Sequence, residues 1–185
     1  MTRTVNGYQT GGAAATSFNA VDTYISGIST PRVIAVGNGS TVHIYNGSTW
    51  SNINSLGLAN YYGVHAKRDS ALAYSGGMII AVGVGGAIMK STNDGTTWAS
   101  KVSGSIDTLL GVTNVPGTST WYVVGAGGTL LKSTDDGETW KAILSGTGTS
   151  QVLRAVAVTA AAGMSGRVWI AGGTSTVYYS ATGGL

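Results

Sequence analysis

The sequence predicts an all-β fold built from about four repeats of one antiparallel sheet, and three observations predict it. Four apolar runs of strand length end in a glycine turn, and each is followed by a second short apolar run and a polar turn. Another candidate strand stands ahead of each glycine-ended run. Nothing carries a helical period: AVTAAAGM (157–164) is the only alanine-rich stretch, and its glycine and the strand after it mark it as a loop.

The glycine-ended runs are RVIAVGNGS (32–40), MIIAVGVGG (78–86), WYVVGAGG (121–128) and RVWIAGGTS (167–175). Their anchoring glycines, Gly37, Gly83, Gly125 and Gly172, lie 46, 42 and 47 residues apart, the length of a four-stranded unit. The strands ahead of them read as YYGVHA (61–66), LLGVTNV (109–115) and LRAVAVT (153–159), with a weaker copy around 24–28. Small residues beside valine suit a crowded inner position. After the glycines come TVHIYNGSTW, AIMKSTNDGTTW, TLLKSTDDGETW and TVYYSATGGL. The first copy is two residues shorter than the second and third, and the fourth stops before a tryptophan falls due.

A sheet of this kind cannot bury its apolar residues alone, so the repeats must pack on one another. Radial packing as a β-propeller matches the unit length. The predicted organisation is an N-terminal arm over 1–18 and propeller repeats over 19–185, divided near 19–56, 57–104, 105–148 and 149–185, closed within the chain or completed by another. Residues 2–8 are expected to supply the missing outer strand of the fourth repeat, pairing with Val177 to Ser180.

Composition narrows the function. Gly, Ser and Thr make up two fifths of 185 residues, which excludes a charge-rich helical bundle, while 43% hydrophobic residues exclude a flexible linker. The absence of cysteine excludes disulfide frameworks, Cys-ligated zinc and thiol catalysis. Ten cations against seven acids are spread thinly, only Lys67 and Arg68 adjoining, so nucleic acid is not an expected partner. No run approaches 18 apolar residues, so neither a membrane partner nor a classical export signal is expected.

STNDGTTW (91–98) and STDDGETW (133–140) resemble the Asp-box, the Ser-x-Asp-x-Gly-x-Thr-Trp turn of sialidase-type propellers. VVGAGGTLLKSTDDGETW (123–140) is similar to the repeat of photosystem II assembly factor propellers. The candidate box residues are Ser91, Asn93, Gly95 and Trp98 in one copy and Ser133, Asp135, Gly137 and Trp140 in the other. An Asx side chain can accept backbone N–H groups in a tight turn, and the glycine can take positive φ. The resemblance likewise implies a folding motif remote from any site.

It also implies an inventory for sialidase chemistry: three grouped arginines, a tyrosine nucleophile assisted by glutamate, and an aspartate acid/base. The chain has one glutamate, Glu138, in a box turn, and five arginines at dissimilar repeat positions. His43 and His65 lack companions at ligand spacing, and GVGG and GAGG lead into strands where a phosphate loop needs a helix. No catalytic residue, metal or cofactor is therefore expected. Of the pairs Tyr61/Tyr62 and Tyr178/Tyr179, one ring each should reach solvent, and Tyr62 and Tyr179 are the candidate interface or glycan contacts. The expected function is non-enzymatic: a bacteriophage virion component, capsid decoration or tail protein, forming homo-oligomers and binding other virion proteins or a surface glycan. The rival readings are a photosystem-type assembly factor, or a cytoplasmic location, and a sialidase-like glycoside hydrolase.

Overall fold

In the computed structural model the described residues are 17–26, 30–53, 59–68, 74–143, 150–159, 167–173 and 176–180. They form four antiparallel meanders in which each strand pairs with the next in sequence. The first sheet contains β1 (Phe18–Ser26), β2 (Thr30–Gly37), β3 (Val42–Tyr45) and β4 (Trp50–Asn52). The second contains β5 (Tyr61–Arg68), β6 (Tyr74–Gly83), β7 (Ile88–Ser91) and β8 (Ala99–Lys101). In the third are β9 (Leu109–Asn114), β10 (Trp121–Gly125), β11 (Leu130–Ser133) and β12 (Lys141–Ala142). The fourth has three described strands, β13 (Leu153–Thr159), β14 (Arg167–Gly172) and β15 (Thr176–Tyr179). The expected ladder between residues 2–8 and β15 falls outside the described residues, as does all of the N-terminal arm except Ser17 and Phe18.

One irregularity recurs in every sheet. The inner strand shifts register beside the anchoring glycine, between Phe18 and Ala20, Tyr61 and Gly63, Leu109 and Gly111, and Leu153 and Ala155. A Cβ on Gly37, Gly83, Gly125 or Gly172 would lie 2.1, 2.1, 2.4 or 2.3 Å from the carbonyl oxygen of Ser17, Asn60, Thr108 or Val152. Close backbone approach therefore demands these glycines. Their own dihedrals do not, since Gly83 and Gly125 have φ of −165°. The segments after them join antiparallel neighbours as hairpin turns, and within them Val84–Gly86 and Ala126–Gly128 each make a single 3₁₀ turn with Gly85 or Gly127 at positive φ.

Strand alternation sends each sheet's apolar residues to two opposite faces, and neighbouring sheets bury them against each other. Tyr24, Ile34, Val36, Val42 and Ile44 of the first sheet meet Tyr61, Val64, Ile79 and Ala81 of the second. Ile80, Val82 and Ile88, from the other face of the second, meet Leu109, Val112, Trp121, Val123 and Trp140. Tyr122, Val124 and Leu130 meet Leu153, Val168 and Ile170. Four sheets thus make three seams in sequence order, an all-β propeller arrangement in which no core cluster among the described residues joins the fourth sheet to the first. The inner strands come close enough that a Cβ on Gly63 would stand 2.9 Å from the Leu110 carbonyl oxygen. This accounts for the small residues beside valine.

Candidate functional site

Both well-formed box turns are built the same way. Ser91 Oγ accepts the N–H groups of Asn93 (3.3 Å) and Gly95 (2.9 Å), and Ser133 Oγ accepts those of Asp135 (3.3 Å) and Gly137 (2.8 Å). Each hydroxyl donates to the Asx oxygen, at 3.1 Å for Asn93 and 2.7 Å for Asp135, which also accepts the N–H of Thr97 or Thr139 at 2.9 Å. The Thr139 hydroxyl, its N–H and Ser133 together hold the Asp135 carboxyl far below the usual carboxylate range. Gly95 and Gly137 take φ of 77° and 78°, and a Cβ there would meet Ile44 Cδ1 at 2.2 Å or Ile80 Cδ1 at 2.5 Å. Trp98 and Trp140 donate their indole N–H to Gly95 and Gly137 and enter the first and second seams.

Two side chains outside the motif link the third sheet to the second. Lys67 Nζ donates to Asp136 Oδ1 at 2.6 Å, and Ser119 Oγ donates to Asp136 Oδ2 at 3.1 Å. Glu138 takes Lys90 at 2.7 Å on one oxygen and Lys101 at 2.5 Å on the other, and Lys90 is buried. Lys101 first, then Lys90, lower the Glu138 pKa. Burial pushes Asp136 up, but its bond to Lys67, that lysine's charge and Ser119 outweigh it and leave the pKa lowered. The corresponding residue of the second sheet, Asp94, lies 3.9 Å from Arg32 of the first. Asp94 and Asp136 share positive φ, 57° and 59°, and their N–H groups bond to the Gly77 and Ser119 carbonyls.

A polar relay crosses three sheets. His65 Nδ1 lies 3.2 Å from Asp22 Oδ2, and its Nε2 lies 3.3 Å from Asn114 Oδ1. Asn114 donates through Nδ2 to the Val115 carbonyl, which orients its oxygen toward the ring. Asp22 also accepts the Ala66 and Thr23 N–H groups, and although burial pushes its pKa up, His65 and these donors bring it below the ordinary value. His65 has no companion at ligand spacing, but the fold brings it two polar partners. They stand 43 and 49 positions away, where no local spacing could show them. His43 meets the Phe18 ring edge-on at 5.0 Å. Among the described residues no three His, Asp or Glu side chains converge as a metal site, and no helix is long and apolar enough to cross a membrane.

Of the tyrosine pairs, Tyr61 is buried and Tyr62 half-buried, whereas Tyr178 is half-buried and Tyr179 exposed. Tyr179 lies 5.2 Å from the Trp169 ring, with the Arg167 guanidinium 6.0 Å from its centre. In the degenerate first box, Asn46 Oδ1 accepts the N–H groups of Ser48 (2.9 Å) and Thr49 (2.8 Å), and Trp50 lies exposed beside Tyr45.

No protein-family model matches the chain, and no curated protein matches it. Eight solved chains do. One of these structures, "YCF48 bound to D1 peptide", is similar over 80% of this chain at 13% identity with a TM-score of 0.49, and the chain spans 61% of that one's length.

Proposed function

We propose that this protein is a non-catalytic scaffold, a structural component of a virion whose partners are other virion proteins. The observation that carries the reading is where its charged groups go. The sole glutamate is held by two lysines of the neighbouring sheet, Asp136 by a third, Asp22 lies against His65, and Asp135 closes its own turn. A carboxylate held in this way at both oxygens does not serve as a general acid or base without giving up a seam. The charge-poor composition rich in glycine, serine and threonine supports the virion part of the reading. Gradient-purified particles from the source of the gene test it. Quantitative mass spectrometry is expected to find the chain in fixed copy number with the other structural proteins. Its recovery from the soluble lysate alone would overturn the proposal.

A further inference from the structure

The two ends of the sheet array carry the two halves of the seam it makes three times internally. Val21 of β1 stands in the same register as Val64 and Val112, opposite Ala35, Ala81 and Val123 respectively. Val64 and Val112 are each 8% exposed against a preceding sheet, while Val21 is 64% exposed. Trp50 follows the same pattern: it is 42% exposed where Trp140, at the equivalent place, is 8% exposed in the second seam. At the opposite end, Val177 of β15 matches Leu130 of β11, which is 2% exposed beneath the fourth sheet, yet Val177 is 62% exposed. Tyr179 and Trp169 share that face with Val177 by strand alternation.

We propose that these end faces bind each other between copies of this chain, the Val177–Tyr179–Trp169 face of one copy packing on the Val21–Trp50 face of the next. The occupant is a second copy because each face already has the shape and residue type that its counterpart meets inside the chain. The new junction continues the internal seam. Ala155 stands at the register position that Ala20, packed into the first seam, holds in β1, so an alanine there is compatible with such a junction. The contact is head-to-tail, so it uses two different surfaces and leaves each copy one of each. This inference stands without the virion reading, since it concerns only the faces of the fold.

The test is the mass of the full 185-residue chain in solution by sedimentation velocity, with Val21→Asp and Val177→Asp variants. Both positions are solvent-exposed, so folding, followed by far-UV circular dichroism, should persist. Trp50→Ser provides a second variant of the first face. The natural chain is expected to sediment as a multiple of 18.6 kDa, and each variant alone to dissociate at least tenfold more readily. An equal mixture of Val21→Asp and Val177→Asp should restore a two-chain species, because one intact junction remains and growth stops there. A natural chain that stays at single-chain mass at all concentrations would overturn the proposal, as would a variant that associates unaided or a mixture that stays dissociated.

Discussion

The seam between the second and third sheets and the seam between the first and second share one turn design yet are fastened differently. At the former, Asp136 and Glu138 reach three lysines of the preceding sheet at 2.5 to 2.7 Å. At the latter, Asp94 faces Arg32 at 3.9 Å, and Thr96 replaces the glutamate. Serine, Asx, glycine and tryptophan build the turn in both. The residues between them decide how tightly it grips its neighbour. In the third seam Lys132 holds the register position of Lys90, but it lies over the Tyr122 ring at 5.6 Å and lines an open cleft with Lys141, Thr134 and Thr139.

The largest expected effect comes from the rings. Trp140→Ala should destabilise the chain by about 3–5 kcal/mol, as for other buried aromatic truncations, with the half-buried Trp98→Ala costing less. Chemical denaturation of both variants measures the gap, and equal losses would break the distinction between the seams. Next, Gly137→Ala forces a Cβ against Ile80 at positive φ, and a loss of roughly 1–3 kcal/mol is expected. A neutral outcome in the same assay would show that Ile80 moves aside.

Smaller is the clasp. Glu138→Gln should cost roughly 1 kcal/mol, because it weakens contacts to buried Lys90, whereas Asp94→Asn should stay within about 0.5 kcal/mol, as expected for a long, partly exposed pair. Reversal of that order in thermal unfolding would break the comparison. The least effect is a slope in pH. Asp136, Glu138 and Asp22 have lowered pKa values when folded, so their contribution is present above their unfolded values near pH 4 and is lost as pH falls through the folded ones. Asp136→Asn should therefore flatten the decline of melting temperature on acidification below about pH 5. A full decline retained in Asp136→Asn would remove that carboxylate from the account.

Much of the architecture was legible because the repeat is written in residues with local duties. The glycine-ended runs became β2, β6, β10 and β14, and LRAVAVT became β13 without change of bounds. The first inner strand was legible only in its second half: it runs from Phe18 to Ser26, where expectation placed it around 24–28. Asn19, Asp22 and Thr23 interrupt its apolar pattern, since among the described residues no sheet packs on its outer face and Asn19 and Asp22 bond to the second sheet. The site residues divide in the same way. Box serines, Asx residues and glycines act within four positions of one another, so they could be read directly. Lys67–Asp136, Lys90–Glu138 and the Asp22–His65–Asn114 relay join residues 43 to 69 apart, and nothing local to any of them names its partner.

The sequence by itself determined the strands, the turns and their repetition, because alternation, glycine dihedrals and side-chain-to-backbone bonds act over a few residues. Only the tertiary structure decided which face of each sheet meets which neighbour, which charges pair across the seams, and that Val21, Trp50 and Val177 stand exposed at the ends of the array. A seam exists only when two sheets meet, and neither sheet encodes the distance to the other.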